Sequence, residues 1–238
     1  QISAALEDKS NSLIGTEVPD AEGLRFSSDV CAAVRETDVL IDFTRPEATI
    51  RNVKICEDFR CPTVIGTTGL GPDRNVIEES AKKIPIVFAP NMSVGVNLVF
   101  SLARIVAATL GDDYDIEIIE AHHRDKIDAP SGTALRLGEI VAESLGRNLK
   151  DDAVFGREGT TGSRNPKTIG FETIRAGDIV GEHTLLFAGT GERIEITHRA
   201  QDRSAFALGA LKAAKWIHKR ESGLFDMMDV LKLMPRES

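Results

Sequence analysis

Three short apolar runs at similar intervals constrain the fold of this chain more than any other feature. They occupy residues 39–43, 62–66 and 85–89, and each is typical of a buried parallel strand. The segments between them, 46–59 and 72–83, are helix-like, and both open with a proline that suits a first helical turn. Strand, helix and strand at this spacing predict right-handed βαβ crossovers in a Rossmann-like, doubly wound parallel sheet of an α/β protein.

The pattern changes after about residue 94. A long helix is predicted over 96–110, followed by a strand from residue 115, a mobile glycine-rich loop over 156–170 and a terminal helix over 205–219. Polar and apolar residues alternate by twos in 171–175, 183–188 and 193–198. This alternation predicts a second α+β domain with a mixed, largely antiparallel open sheet.

A dinucleotide-binding sheet normally begins with a strand and a glycine-rich G-x-G-x-x-G turn that admits the pyrophosphate. The chain has no such turn at its start, and residues 2–6 are typical of the second strand of such a sheet. We therefore expect the first strand and the glycine turn to be missing from this chain.

The composition excludes several classes of function. A formal net charge of −8 argues against non-specific nucleic-acid binding, and 42% hydrophobic residues suffice for a buried core. No apolar run approaches the roughly eighteen residues of a membrane span and no signal peptide is recognised, so we expect a cytoplasmic protein without membrane partners. Because Cys31, Cys56 and Cys61 lack metal-like spacing with the histidines, we expect reduced structural thiols and no metal site.

The segment EAHHRDKIDAPSGT, residues 120–133, concentrates two imidazoles, several cations and a helix start. His122 and His123 fall where a strand-like run ends in a loop, which is where catalytic groups are usually placed. Ser131 is a natural N-cap for the helix that follows, and the free amides of its first turn would face a carboxylate or phosphate. These features predict a site for a small dianionic ligand.

This segment resembles the signature of the dihydrodipicolinate reductase family, NAD(P)H-dependent enzymes of the diaminopimelate route to lysine. Further segments resemble blocks of that family in the same order, and they lie at 41–47, 66–69, 89–97, 175–183 and 221–226. The likeness covers nearly the whole chain. It implies an oxidoreductase that transfers hydride from the nicotinamide to C4 of dehydrated 4-hydroxy-tetrahydrodipicolinate, a cyclic imine that bears two carboxylates.

The resemblance also implies roles for single residues. His122 would be an acid/base and Lys126 a proton donor, while His123 would reach the substrate. An imidazole titrates nearest to neutrality, which suits the first of these roles. The residues that would cradle a substrate carboxylate are Ser131, Gly132 and Thr133.

The cofactor would bind beyond the carboxyl ends of the parallel strands. The resemblance places two strand-end turns on the nicotinamide side, formed by Gly66, Thr67, Thr68, Ala89, Pro90, Asn91 and Met92. Glu7 ends the second strand, where a carboxylate can hydrogen-bond ribose hydroxyls. Many family members follow that acid with an arginine, whereas this chain has Asp8, which should repel a 2′-phosphate. We therefore expect NADH to be used at least as well as NADPH.

The resemblance implies a discontinuous arrangement of domains. Residues 1–94 and 204–238 would form the dinucleotide-binding domain, and residues 95–203 a substrate-binding and oligomerisation domain. Because the family forms homotetramers through the sheet of that second domain, we expect a homotetramer here.

Two other functions remain open. Ser131, His122 and Asp128 would form the nucleophilic triad of a hydrolase, although the chain has no G-x-S-x-G elbow and Ser131 suits an N-cap better. The second alternative is a catalytically silent redox sensor that binds a dinucleotide. Two further histidines, His183 and His198, alternate within strands, and we expect them to be packed or hydrogen-bonded rather than catalytic.

Overall fold

The computed structural model describes residues 1–233, which divide into two compact units. The first unit comprises Gln1–Met92 and Leu208–Lys232, and the second is built on Ser93–Ala207. Of the predicted range 204–238, residues 234–238 lie outside the described part of the chain.

The secondary-structure elements are numbered here in chain order. The strands are β1 (Ala5–Leu6), β2 (Phe26–Ser27), β3 (Leu40–Asp42), β4 (Thr63–Ile65), β5 (Pro85–Phe88), β6 (Asp115–His122), β7 (Ala153–Phe155), β8 (Ile169–Arg175), β9 (Gly181–Ala188), β10 (Arg193–Ala200) and β11 (Gly223–Phe225). The α-helices are α1 (Val30–Arg35), α2 (Pro46–Phe59), α3 (Arg74–Ala81), α4 (Val94–Leu110), α5 (Gly132–Ser144), α6 (Leu149–Asp152), α7 (Ser204–Ile217) and α8 (Met227–Leu231).

Four parallel strands form the main sheet of the first unit, in the order β11-β5-β4-β3. On one face, Leu40, Ile65 and Ile86 pack against α2 and α3. On the other face, Val64 and Val87 pack against residues of α7 and α8. Helices on both faces confirm the predicted doubly wound α/β sheet. β1 pairs with β2 in a separate two-stranded sheet, so the strand predicted over 2–6 is shorter than expected.

A five-stranded mixed sheet forms the second unit, in the order β10-β9-β6-β8-β7. Its two antiparallel ladders are eight and seven residue pairs long, and its two parallel ladders seven and three, so antiparallel pairing predominates as predicted. Apolar residues of α4 and α5 cover one face, including Phe100 and Leu137, and pack against Ile118 and Leu185 of the sheet. This confirms a second α+β domain.

The glycine-rich stretch predicted as a loop over 156–170 contains neither helix nor strand up to residue 168, whereas its last two residues, Ile169 and Gly170, begin β8. It is nevertheless tied to β6, because Arg157 and Arg164 both bind the carboxylate of Glu117. Arg164 also donates to the carbonyl oxygen of Ile116 at 2.9 Å. The loop expected to be mobile is therefore anchored by charged hydrogen bonds.

Helix α4, with the turn that follows it to Asp113, is long and apolar enough by length and composition to span a membrane. Polar residues such as Asn97 and Arg104 interrupt this segment, so it contains no unbroken apolar run of that length. Val96, Val99, Phe100 and Ala103 of this helix are buried in the hydrophobic core of the second unit. We therefore interpret α4 as a core helix.

Candidate active site

A row of polar side chains crosses the sheet of the second unit at the end of β6. Because side chains alternate along a strand, Glu120 lies on the same face as the buried Ile116 and Ile118. Directly opposite Glu120 are His183 on β9 and Thr173 on β8, which places all three on one face. The sheet therefore carries a buried polar cluster at the edge of its apolar core.

Glu120 is the centre of this cluster, and its residue surface is only 1% exposed. Arg175 on β8 donates two hydrogen bonds to the two carboxylate oxygens, at 2.9 and 2.8 Å. The same carboxylate accepts from His122 Nδ1 at 2.5 Å, from the Ser131 amide at 3.1 Å and from the Thr173 hydroxyl at 3.3 Å. Burial alone would raise the pKa of Glu120, but the hydrogen bonds from Arg175 and His122 outweigh it and hold the pKa below its ordinary value.

His122 ends β6 and is buried. Its ring meets the ring of His183 edge to face, with the centroids 5.1 Å apart. A Cβ atom placed on Gly181 would lie only 3.1 Å from Nε2 of His122, so a glycine at this position allows β9 to pack closely against the ring. Burial lowers the pKa of His122, although the Glu120 carboxylate opposes that effect.

Lys126 and His123 lie in the loop that follows β6. Lys126 Nζ donates to the Asp128 carboxylate at 2.8 Å, and Arg175 Nη2 donates to the backbone carbonyl oxygen of Asp128 at 2.6 Å. Lys126 is therefore linked to Glu120 through Asp128 and Arg175. His123 lines an open cleft of ≈ 610 Å³ in the second unit, together with Arg124, Asp125, Gly177, Asp178, Val180 and Arg203.

Ser131 is the N-cap of α5, as the sequence predicts, and its hydroxyl accepts from the Ala134 amide at 3.2 Å. The hydroxyl also pairs with His183 Nε2 at 2.9 Å, while the Ser131 amide donates to Glu120. Gly132 and Thr133 then form the first helical turn. Ser131 thus fixes the start of α5 through bonds inside the protein.

His183 is buried, and burial lowers its pKa to about 4. Its Nδ1 has no hydrogen-bond partner among the described residues. His198, opposite it on β10, pairs with Ser93 at 3.5 Å. Both are packed and hydrogen-bonded, as predicted.

The hydrolase triad does not form in this structure. The hydroxyl of Ser131 pairs with His183 rather than with His122. Nδ1 of His122 binds Glu120, whereas the Asp128 carboxylate binds Lys126. None of the three proposed members is therefore hydrogen-bonded to another.

The expected cofactor residues lie in the first unit. Gly66, Thr67 and Thr68 follow β4, and 89–92 follow β5, so both turns lie at the carboxyl edge of the parallel sheet. A buried carboxylate missed in the sequence, Asp42 at the end of β3, accepts from the Thr67 hydroxyl at 3.3 Å. Its backbone carbonyl accepts from the Gly66 amide at 2.8 Å.

Among these turn residues, Ala89 and Met92 are buried, whereas Pro90 and Thr68 are exposed. Gly66 leaves room for a neighbouring ring, because an added Cβ would lie 2.2 Å from Phe43. A glycine at position 66 is therefore required by the packing of the Phe43 ring against this turn.

Glu7 and Asp8 follow β1 and are exposed. The Glu7 carboxylate accepts from Asn11 at 3.0 Å, and the Asp8 carboxylate accepts from the Ser10 hydroxyl at 2.6 Å. The hydrogen bonds from Ser10 lower the pKa of Asp8. Asp8 therefore presents a negative charge beside Glu7.

Within residues 1–233, no group of three His, Cys, Asp or Glu side chains is arranged to hold a metal ion. The three cysteines form no disulfide bond, and Cys56 and Cys61 are buried.

Comparisons with known proteins identify the family. Residues 1–92 match the family model described as "Dihydrodipicolinate reductase, N-terminus", and residues 95–231 match "Dihydrodipicolinate reductase, C-terminus". A 4-hydroxy-tetrahydrodipicolinate reductase of Hahella chejuensis is 56% identical over 229 residues, which cover 94% of this chain and 86% of the relative. One of Thiobacillus denitrificans is 55% identical over 235 residues, which cover 97% and 88%.

A solved structure has the same fold. Dipicolinate-bound dihydrodipicolinate reductase from Paenisporosarcina sp. TG-14 superposes with a TM-score of 0.75 at 23% identity, over 95% of this chain and 87% of that one. The family models and the relatives together cover nearly the whole sequence. This chain therefore belongs to the dihydrodipicolinate reductase family of oxidoreductases.

Proposed function

We propose that this enzyme reduces 4-hydroxy-tetrahydrodipicolinate with NADH or NADPH, in the diaminopimelate route to lysine. The observation that carries the proposal is the hydrogen-bonded network that joins His122, Lys126 and the start of α5 through Glu120 and Arg175. The dipicolinate bound to a solved relative supports a small dianionic heterocycle as the ligand.

The residues of the second unit suit the proton side of this reaction. The reduced nicotinamide supplies a hydride, and the reduced ring must then take up a proton. His122 and Lys126 are the proposed proton donors, and His123 contacts the substrate from the cleft. The amides of the first turn of α5, at Gly132 and Thr133, bind a substrate carboxylate, while Ser131 holds that turn in place.

The residues of the first unit suit a nicotinamide dinucleotide. Strand-end turns of small residues, tied down by Asp42, allow close approach of the nicotinamide side, and the exposed Glu7 carboxylate can accept from ribose hydroxyls. Because the Asp8 charge opposes a 2′-phosphate, NADH is used at least as well as NADPH.

The two units then have different roles. The first unit binds the dinucleotide, and the second unit binds substrate and assembles a homotetramer in the cytoplasm; the observed boundaries after Met92 and before Leu208 lie two and four residues from the predicted ones.

A spectrophotometric assay tests the proposal. Purified protein is mixed with enzymatically generated substrate and with NADH or NADPH, and loss of reduced-nicotinamide absorbance is followed. We expect oxidation that depends on the substrate, with kcat/KM for NADH at least equal to that for NADPH. Absence of substrate-dependent oxidation with both cofactors would contradict the proposed reaction.

A further inference from the structure

The buried carboxylate of Glu120, which the sequence pattern does not single out, connects several residues of the site by hydrogen bonds. Glu120 is almost fully buried, so its charge must be compensated inside the protein. The forked guanidinium of Arg175 provides that compensation with two hydrogen bonds. An ionised Glu120 accepts only, and every group within hydrogen-bonding distance of it is a donor.

Two of these donors belong to the proposed catalytic machinery. Oε2 of Glu120 accepts from His122 Nδ1, and Oε1 accepts from the backbone amide of Ser131. The Glu120 carboxylate is therefore hydrogen-bonded to both the His122 imidazole and the start of α5. No other described side chain is hydrogen-bonded to both.

We propose that Glu120 is a positioning residue, which keeps the His122 proton on Nδ1 and directs Nε2 to the substrate while it fixes the first turn of α5 in the same frame. This inference rests on the proposed reduction, because it assigns the atom of His122 that exchanges the proton. Gly181 agrees with this assignment only in that a larger residue there would crowd Nε2, since an added Cβ would lie 3.1 Å from it.

The electrostatic surroundings of His122 make the inference measurable. The charged and titratable groups that face it are Glu120 on its own strand, Arg175 on β8, His183 on β9 and Lys126 in the following loop. Burial lowers the pKa of His122 most; Glu120 raises it, and Lys126 and Arg175 lower it further. Removal of the Glu120 charge should therefore lower the pKa of His122 below its value in the wild type.

The variant Glu120→Gln conserves size but places an amide donor among the donors that surround this position. We expect kcat to fall about 10²-fold to 10⁴-fold, the range of a misplaced general acid. We also expect KM for the substrate to rise, because the start of α5 loses its anchor. Since the protonated imidazole is the donor, the fall of activity with rising pH should move to lower pH.

Glu117→Gln is the matched control. Glu117 lies on the same strand but on the opposite face. Like Glu120 it forms ion pairs with arginine, in its case with Arg157 and Arg164. This variant should keep the kcat and the pH profile of the wild type. A Glu120→Gln protein with the wild-type pH profile and kcat would overturn the inference.

A measurement on the wild type avoids the question of whether Glu120→Gln folds. Two-dimensional NMR of the histidine ring nitrogens reports which nitrogen carries the proton. We expect neutral His122 to be protonated on Nδ1, and protonation on Nε2 would refute the positioning role. If the wild type does not oxidise reduced nicotinamide, the proposed reaction fails, and the His122 tautomer still decides whether Glu120 places the proton.

Discussion

Replacement of His183 by glutamine should make the fold measurably less sensitive to acid. His183 lies on β9 between the ring of His122 and the Ser131 hydroxyl, and burial lowers its pKa from 6.5 to about 4. The folded protein therefore resists protonation of this ring, whereas the unfolded chain takes up the proton below pH 6.5. The stability that this difference provides is present above pH 6.5 and is lost as the pH falls towards 4.

The magnitude follows from the shift. Each unit between the two pKa values corresponds to about 1.4 kcal/mol of unfolding free energy. The full loss is therefore about 3 kcal/mol, of which about 1.4 kcal/mol is lost one unit below the usual pKa. In His183→Gln this loss is absent, although the lost packing lowers stability by a constant amount at every pH. Groups with shifted pKa values that do not interact with His183 are present in both proteins and cancel in the difference.

Urea unfolding at about pH 7.5 and about pH 4.5 measures the effect, with the wild type and His183→Gln compared at each pH. The free energy of unfolding of the variant should fall by about 2.5 kcal/mol less than that of the wild type over this interval. Thr184→Val on the same strand is the control, because it removes the hydrogen bond to Thr197 without a titrating group. Equal pH dependence of the His183→Gln protein and the wild type would refute the argument.

Three further predictions concern activity, cofactor choice and packing. His122→Ala and Lys126→Ala should each lower kcat about 10²-fold to 10⁴-fold in the reductase assay, and wild-type turnover would remove that residue from the mechanism. Asp8→Arg should raise the ratio of kcat/KM for NADPH to that for NADH on the order of tenfold, and a large NADPH preference of the wild type would contradict the repulsion at this position. Gly209→Ala would place a Cβ 1.8 Å from the Met92 carbonyl oxygen. We therefore expect the free energy of unfolding, measured with denaturant, to fall by about 3 kcal/mol. Unchanged stability would show that α7 can shift.

Elements with strong local signals are predictable from this sequence. The helix predicted over 46–59 is observed at Pro46–Phe59, because a proline marks its first turn and Arg60 ends it in a left-handed conformation. The three parallel strands agree with prediction to within one residue at each end. β1 is shorter than predicted because its ladder with β2 contains only two residue pairs. β7 and β11 were not predicted, since each contains only three residues, and the partner strand of β11 lies 138 residues earlier in the chain.

The residues of the site can be predicted only in part from the sequence. His122, Lys126 and Ser131 stand within one segment, and the structure joins them in one network. Glu120 was missed because its main partner, Arg175, lies 55 residues further on and reaches it only through the pairing of β6 with β8. A signal did exist, since Glu120 shares the parity of the apolar core positions on its strand.

The different surroundings of His122 and His183 favour the proposed proton transfer by His122 over one by His183. Both are buried, and burial lowers the pKa of each. His183 pairs with the neutral hydroxyl of Ser131, whereas His122 pairs with the Glu120 carboxylate, which offsets part of the burial effect. As the pH falls, His122 should be protonated first, and its positive charge then opposes protonation of His183. A carboxylate beside one ring thus separates the proposed proton donor from a ring that stays neutral.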